Sequence, residues 1–395
     1  MLIHALPFLI ILTPLLYGLL TLYCASSFFA ARHMLRGGRG GEAAGPGSGS
    51  PWGGPSFPAV SILKPVKGMD AQSFDNFASF CLQEYPCLQI IFAVASGDDP
   101  VIPVIRRLMT EFPYVDIELV FDPAIHGPNY KVSNLINAFP RAKHDIIIVC
   151  DSDIRVPKEY LQEVCALFTD PKVGLVASLY RSSAIEGTAT AIEALGFSCE
   201  MVPNVMVALK LEGLSFALGA SMAVRRGALA AIGGFPALVD YLADDYQLGN
   251  KIHRAGYRLE LSACFVESIM HRESLRTVLS RQLRWARTMR VSRTAGYLAS
   301  GLIQPVPAAV LALIATNASW AGIAAVALLY TVRAVVATLF SRRYVRDRLL
   351  PRYLWLLPVR DLFSFGTWAL SFLGNRVRWR GHLFRVLPGG TLREL

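Results

Sequence analysis

Long apolar segments at both ends of the chain constrain its fold more than any other feature. Residues 1–31 include a nearly uncharged stretch long enough to cross a bilayer, and residues 301–340 and 354–373 contain several more. Charged residues make up only 17% of the 395 residues, and the mean hydropathy is +0.41. Both values are typical of membrane proteins. Residues 58–290 have the composition of a soluble domain, so the sequence predicts such a domain held between membrane segments.

The N-terminal segment is predicted to be a retained membrane anchor over residues 1–31. It lacks a basic leading region, and its apolar run is longer than that of a typical signal peptide. The arginines that follow it directly are Arg32, Arg36 and Arg39. Because positive charges favour the cytoplasmic side, the domain that follows is expected in the cytoplasm. Residues 32–57, rich in Gly, Ser and Pro, are predicted to form a flexible linker between the anchor and a domain at 58–295.

The C-terminal third predicts membrane helices over residues 296–375 and a basic cytoplasmic tail over 376–395. Residues 301–340 suit a helical hairpin. The next segment contains Arg360 and Asp361 and has basic residues on both sides, so one clean span would leave a basic cluster on the wrong side. We therefore expect this segment to lie partly in the interface or to re-enter, which leaves two or three spans open.

Charge and cysteine content narrow the possible partners. A net charge of +10 could indicate nucleic-acid binding, but the basic residues cluster beside apolar segments, where anionic headgroups explain them more simply. We therefore predict a membrane partner and no nucleic-acid partner. The seven cysteines include no CxxC pair, which argues against a disulfide framework and against a zinc site.

The middle of the chain alternates between strand-like and helix-like segments. The runs AVSIL, QIIFAVA, DIELVF and DIIIVC read as strands, and helices are predicted between them at residues 74–83, 102–112 and 131–138. This alternation predicts an α/β fold with a Rossmann-like parallel sheet built from right-handed βαβ units. In such sheets, ligands bind beyond the carboxyl ends of the strands.

The fourth predicted strand ends in DSD, which places Asp151 and Asp153 at that edge. Two carboxylates at i and i+2 can converge on one Mg²⁺ or Mn²⁺ ion, which typically binds one or two carboxylates together with phosphate oxygens. Such an ion would neutralise a bound diphosphate. The alternative interpretation is an ordinary turn with an aspartate as N-cap before Pro157.

Two later segments add candidate residues. In RQLRW, Arg281 and Arg284 share a helix face and could grip phosphates, while Trp285 offers a stacking plane or an interfacial anchor. The alternative is a basic amphipathic helix lying on lipid. In ADDYQLG, Asp244 and Asp245 could simply be favourable acids at a helix start. Adjacent carboxylates also raise each other's proton affinity, which makes Asp245 a candidate general base.

Taken in order, these segments resemble the ceramide glucosyltransferases, glycosyltransferase family 21 with a GT-A fold. The resemblance runs over residues 60–290 and is carried by SILKPVKGMD, DDP, KVSNL, CDSDIRV, KVGLV, LADDY and RQLRW. KVSNLIN, and LRWARTMR followed by AGYLAS, are most similar to the bacterial branch attached to hopanoid biosynthesis. That branch is thought to place N-acetylglucosamine on a polyol-bearing triterpenoid.

The resemblance implies roles for individual residues. Asp151 and Asp153 would hold the metal and the donor diphosphate, and Asp245 would deprotonate the acceptor hydroxyl. The helix residues that would bind phosphates or position the acceptor are Arg281, Arg284 and Trp285. The residues that would flank the nucleotide are Lys64, Asp98, Lys131 and Asn134.

One position departs from the family pattern. The ceramide enzymes have an aspartate two residues before the DDP pair, and this chain has Ser96 there. Uracil recognition would then pass to Asp98.

The resulting prediction is a membrane-bound inverting glycosyltransferase that uses a divalent metal. It would move glucose or N-acetylglucosamine from a UDP-sugar to the hydroxyl of a ceramide or hopanoid, at the cytoplasmic face of a bacterial inner membrane. Two alternatives remain open: a processive polysaccharide synthase, and a non-catalytic membrane protein that binds a nucleotide sugar or a lipid.

Overall fold

The computed structural model describes residues 23, 24, 26–32, 57–379 and 381–395. Residues 26–32 are helical. The remainder of the predicted anchor, and nearly all of the predicted linker, lie outside the described residues.

Eight strands form the central sheet: β1 (Val60–Val66), β2 (Leu88–Val94), β3 (Asp116–Phe121), β4 (Ile146–Cys150), β5 (Ile154–Arg155), β6 (Val173–Ala184), β7 (Ser221–Arg225) and β8 (Arg258–Ile269). Their order is β3-β2-β1-β4-β7-β6-β8-β5. The first four run parallel, as predicted, whereas β7 is antiparallel to both β4 and β6. All five residues of β4 are buried, which explains its unbroken apolar sequence.

The helices within the described residues are α1 (Ser73–Cys81), α2 (Ile102–Glu111), α3 (Tyr130–Ala138), α4 (Tyr160–Ala166), α5 (Thr188–Gly196), α6 (Val202–Glu212), α7 (Arg226–Ala231), α8 (Asp244–Arg254), α9 (Leu275–Ser292), α10 (Thr294–Ser300), α11 (Pro305–Ala315), α12 (Trp320–Phe340) and α13 (Leu357–Ser371). The three helices predicted between the first strands are confirmed to within about two residues. Separate apolar clusters cover the two faces of the sheet, because neighbouring strand residues point to opposite faces.

One C-terminal helix is by itself long and apolar enough to cross a membrane. Among the described residues, Trp320–Val345 qualifies with a mean hydropathy of 2.1, and only 22% of its apolar window is buried. Thr188–Glu212 also qualifies, but its window is 67% buried. Helices α10 and α11 form a third span if they are counted together across a bend of 43°. Helix α13 has 15 residues, which is short for a span, and it buries both of its charged residues against the other helices.

Residues 376–395, predicted to be a basic tail, instead form a three-stranded antiparallel sheet. Its strands are β9 (Arg376–Trp379), β10 (His382–Val386) and β11 (Leu392–Glu394). Apolar residues alternate with arginines along β9 and β10, so Val377, Phe384 and Val386 share one buried face while the arginines lie outside. The basic composition obscured this period-two pattern.

Candidate active site

The two acids of DSD lie at the carboxyl edge of the sheet, as predicted. Asp151 directly follows β4, and its backbone N–H donates to the carbonyl of Ala220 at 3.2 Å. Asp153 is held from the other side, where its carbonyl accepts from the N–H of Ile269 at 3.0 Å and its Oδ2 accepts from Ser268 Oγ at 3.1 Å. The pair is therefore fixed between β4 and β8.

This edge carries a surplus of negative charge. Burial, reinforced by the neighbouring carboxylates of Asp151 and Asp70, raises the pKa of Asp153 to about 6. Asp70 is brought close by a hydrogen bond from Ser152 Oγ. The part of the chain that the structure describes contains no cluster of three or more potential metal ligands. Two carboxylates fit Mg²⁺ or Mn²⁺ when phosphate oxygens complete the coordination, so Asp151 and Asp153 suit a metal that arrives with a diphosphate.

Lys131 joins this acid pair to the later ADDYQ segment. Its Nζ lies 2.7 Å from Asp151 Oδ1 and 3.4 Å from Asp244 Oδ2. Burial alone would lower the pKa of Lys131, but the two carboxylates outweigh it and raise the pKa, so the ammonium stays charged. Asn129, the N-cap of α3, donates to the carbonyl of Tyr241 at 2.8 Å and to Asp244 Oδ1 at 3.4 Å. The start of α3 therefore holds the start of α8.

Asp245, the predicted base, lies beside this ion pair in the first turn of α8. Its Oδ1 accepts from the N–H of Tyr246 at 2.7 Å. Burial, together with the adjacent carboxylate of Asp244, raises its pKa to about 6, close to the range in which a general base works at neutral pH. A Cβ at Gly219 would come within 2.9 Å of Asp245 Oδ2, so a glycine there gives the carboxylate its space.

Lys64, predicted to flank the nucleotide, is fully buried in β1. Its Nζ donates to the carbonyl of Asp151 at 3.0 Å and lies 4.0 Å from the centroid of the Phe80 ring. This environment favours support of the strand end that carries Asp151 over direct contact with a nucleotide.

The two other residues predicted beside the nucleotide lie near the same edge. Asn134 is half-buried on α3, one turn beyond Lys131. Asp98 is exposed in the loop after β2. Its neighbour Asp99 accepts from the N–H of Gly68 at 2.9 Å, and this contact ties the loops after β1 and β2 together.

The RQLRW residues point toward different partners. The guanidinium of Arg281 donates to Glu193 at 2.8 Å and to Glu273 at 3.1 Å. That of Arg284 lies 5.7 Å from the ring centroid of Trp379 in β9. The indole of Trp285 is 6.4 Å from the Phe197 ring. Because two carboxylates already engage Arg281, its contacts favour a role in fixing α9 to α5 over the predicted grip on phosphate.

Tyr180 of β6 is a half-buried residue near the site that no sequence motif had singled out. Its ring packs 4.9 Å from that of Phe197. Burial is the main cause that raises the pKa of Tyr180, and nearby carboxylates raise it further. These carboxylates belong to Asp245, Glu193, Asp151 and Asp153. Tyr180 therefore lies within electrostatic reach of the DSD acids, the candidate base Asp245 and the glutamate that engages Arg281. Its position at the end of the predicted strand VGLVASLY was the available signal.

The C-terminal sheet also reaches the site. Tyr241 forms a β-bridge with Thr391, and the N–H of Leu392 donates to the carbonyl of Asp240 at 2.7 Å. These contacts fix the residues that lead into α8 and Asp245.

A mixed, parallel-rich α/β sheet with paired acids at its carboxyl edge, followed by a second acidic pair and by helices that could span a membrane, is the architecture of a glycosyltransferase of the GT-A type. The model of the family described as Glycosyl transferase family 21 matches residues 6–392, and the chain belongs to that family.

Curated relatives and a solved structure agree with this assignment. Ceramide glucosyltransferase 3 of Caenorhabditis elegans is 25% identical over 349 residues, which cover 85% of this chain and 74% of the relative. The ceramide glucosyltransferase of Candida albicans is 36% identical over 110 residues, 25% of this chain and 20% of the relative. A mannosyltransferase from Pyrobaculum calidifontis, solved with GDP-mannose and Mn²⁺, aligns over 92% of this chain and 99% of its own with a TM-score of 0.56 and 16% identity. The last match shows a common fold.

Proposed function

We propose that this protein is an inverting glycosyltransferase that moves a hexose, glucose or N-acetylglucosamine, from a UDP-sugar to the hydroxyl of a ceramide- or hopanoid-type lipid. The observation that carries the proposal is the double contact of Lys131 with Asp151 and Asp244. This contact links the acid pair proposed to bind the metal with the helix start that carries the candidate base. The names of the curated relatives support the lipid acceptor.

Asp151 and Asp153 are the residues that would hold Mg²⁺ or Mn²⁺. When bound, the ion neutralises charge on the diphosphate as it departs. Lys131 supplies a further positive charge beside Asp151, and Asp98 and Asn134 lie near the expected nucleotide position.

Asp245 acts as the general base. Its carboxylate accepts the proton of the lipid hydroxyl while the hydroxyl oxygen attacks the anomeric carbon from the face opposite the diphosphate. A new carbon–oxygen bond forms, the bond to the diphosphate breaks, and the configuration inverts to a β-glycoside. No covalent enzyme intermediate is needed, because the leaving group and the nucleophile occupy opposite faces.

The apolar helices hold the acceptor where its hydroxyl reaches the soluble site. Helix α12 exposes large apolar side chains along its length, as expected of a helix that faces lipid, among them Leu328, Val332 and Leu339. The catalytic domain then lies on the cytoplasmic face of the membrane, where nucleotide sugars are available, and a bacterial inner membrane suits the hopanoid-type acceptor.

Sugar transfer tests the proposal directly. Purified protein in detergent receives UDP-[¹⁴C]glucose or UDP-[¹⁴C]N-acetylglucosamine, Mn²⁺, and either a short-chain ceramide or a polyhydroxylated hopanoid. We expect label in the organic extract, with β configuration at the new linkage. Label in an insoluble polymer would indicate a polysaccharide synthase, and no transfer to any acceptor would indicate a binding protein.

A further inference from the structure

A polar cavity lies inside the helix bundle, apart from the carboxyl edge of the sheet. It has a volume of about 80 Å³ and is partly open to the exterior, so it has room for a polar group of a larger ligand. Ionisable or amide side chains line it from α6, α12, α13 and the helix breaks, including Glu200, Asn204, Gln304, Arg333 and Asp361. Polar residues inside an apolar bundle are uncommon and often mark a functional site.

The backbone around the cavity is irregular in two places. A π-helical turn, Phe197–Met201, interrupts the helix Thr188–Glu212 and carries Glu200. The break between α10 and α11 bends the chain by 43° directly before Pro305. Within a membrane, irregular backbone is tolerated where it lines a cavity, and π-turns are frequent at functional sites. Both irregularities therefore point to a ligand site.

The charges around the cavity balance. Arg333 pairs with Asp361 through two contacts of 2.8 and 3.1 Å, and Arg360 pairs with Glu200 at 2.7 Å. Two guanidiniums and two carboxylates leave no net charge for an ionic headgroup to satisfy. The cavity consequently favours a neutral ligand that forms hydrogen bonds.

Gln304 and Arg360 each have a buried polar atom, Oε1 and Nη1, without a hydrogen-bond partner among the described residues, and Gln304 is the one that lines the cavity. A buried amide oxygen without a donor is costly, and native proteins retain such groups mainly where a ligand completes them. The matching group on a ligand is a hydroxyl or an amide N–H.

A chain of hydrogen bonds also links the cavity to Arg281 of the RQLRW segment. Arg360 donates to Gln282 at 3.5 Å, and Gln282 donates to Glu193 at 3.3 Å, the carboxylate that engages Arg281. Glu193 precedes Glu200 by two helical turns, a distance of about 10 Å along the axis. A lipid with polar groups in succession can span this distance.

We propose that this cavity binds the neutral, hydrogen-bonding part of the acceptor lipid, with Gln304 accepting a hydrogen bond from its hydroxyl or amide. The inference rests on the proposed function, since it names where the acceptor of the same reaction is held while its reacting hydroxyl meets Asp245.

Gln304→Leu tests the cavity in the full-length protein. Because Oε1 has no described partner to lose, we expect the variant to fold with unchanged or higher thermal stability. The KM for whichever lipid the wild type glycosylates, short-chain ceramide or polyhydroxylated hopanoid, rises about 3- to 10-fold, as expected for one hydrogen bond. The kcat and the KM for the UDP-sugar stay unchanged. Thr331→Val is the matched control, because its exposed hydroxyl bonds only within its own helix, to Ala327 at 2.8 Å.

An unchanged KM for the lipid in Gln304→Leu would overturn the inference while leaving the proposed function intact. If the wild type glycosylates neither lipid, the proposed function fails. Thermal unfolding in the absence of UDP-sugar then tests whether the cavity binds lipid. Saturating neutral lipid should then raise the Tm of the wild type by about 3 °C more than that of Gln304→Leu, and phosphatidylglycerol should not distinguish them. Equal shifts for both proteins with the neutral lipids would refute the site.

Discussion

The carboxyl edge of the sheet and the interior of the helix bundle both bury charged side chains, but they balance their charges differently. The sheet edge gathers carboxylates around the ammonium of Lys131, from Asp70, Asp151, Asp153, Asp244 and Asp245. The bundle pairs each arginine with one carboxylate, Arg333 with Asp361 and Arg360 with Glu200. The first arrangement leaves negative charge in excess, whereas the two pairs of the second carry no net charge.

This difference distinguishes the acids proposed to act in catalysis from the ion pairs that stabilise the helix bundle. Unbalanced acids hold protons more tightly, and the raised pKa of Asp245 suits the proposed role of general base. Balanced pairs fix helices against one another, and removal of one partner leaves a charge where water is absent. Substitutions of the acids at the sheet edge should therefore affect rate more than stability, and those that break an ion pair in the bundle should do the opposite.

The largest expected effect follows from Asp245→Asn. The amide keeps the shape of the side chain but cannot accept the hydroxyl proton, so we expect kcat to fall about 10²- to 10⁴-fold. Binding of Mn²⁺ and UDP-sugar, measured by calorimetry, should remain within about twofold. Exposed Asp240→Asn is the matched control and should retain normal kcat. Near wild-type transfer by Asp245→Asn would show that another group takes the proton.

Asp361→Leu tests the ion pair between Arg333 and Asp361 in the helix bundle. It leaves the buried guanidinium of Arg333 without its carboxylate, which we expect to lower the free energy of unfolding by about 3–5 kcal/mol. Arg333→Met combined with Asp361→Leu should recover most of that loss, because the bundle then buries no unpaired charge. Chemical denaturation in detergent measures both variants. A single variant as stable as the wild type would mean that this pair does not hold the bundle.

The pH dependence of transfer should reflect the acid-rich edge. Burial and Asp244 raise the pKa of Asp245 to about 6, and only the deprotonated carboxylate acts as a base. We expect kcat to be level above this pH and to fall about tenfold per unit below it. The pKa of Asp153 is raised to a similar value, so donor binding must be followed over the same range to separate the two acids. A rate that rises as pH falls from 6 to 5 would contradict the assignment.

The smallest effect is expected at the boundary between the two regions. Trp379→Ala removes the ring that lies against the Arg284 guanidinium, a contact worth about 0.5–2 kcal/mol. We expect kcat/KM for transfer to fall about 2- to 30-fold, because Arg284 loses its orientation. Trp355→Ala, at an exposed site, provides the comparison. If Trp379→Ala and Trp355→Ala have the same kcat/KM, the contact between Trp379 and Arg284 does not contribute to transfer.

The sequence predicted the sheet edge well because its signals are local. An apolar β-branched run marks β4, and the acids follow it directly, so their position at the carboxyl edge required no tertiary information. The second acidic pair could be placed at a helix start for the same reason. Pairing across the fold could not be predicted: Lys131 meets Asp244 only because α3 and α8 converge.

Composition and helix-face spacing could not predict side-chain partners that lie far apart along the chain. The arginines of residues 376–395 suggested lipid contact, yet alternation in RVRW and HLFRV builds a sheet beside α8. The charge of Lys64 suggested a solvent or ligand contact, although its neighbours in VSILKPV are buried on both sides. The partners of Arg281 lie on α5 and in the segment before α9, which no helix-face argument within RQLRW reveals.

Calorimetric titration of UDP into the full-length protein tests the central claim most directly. We expect binding that requires Mn²⁺ or Mg²⁺ in the wild type and in Asp245→Asn, and at least about a hundredfold weaker binding in Asp151→Asn combined with Asp153→Asn. Equal affinity in that double variant, or binding indifferent to both cations, would contradict the claim that these two acids hold the metal and the donor.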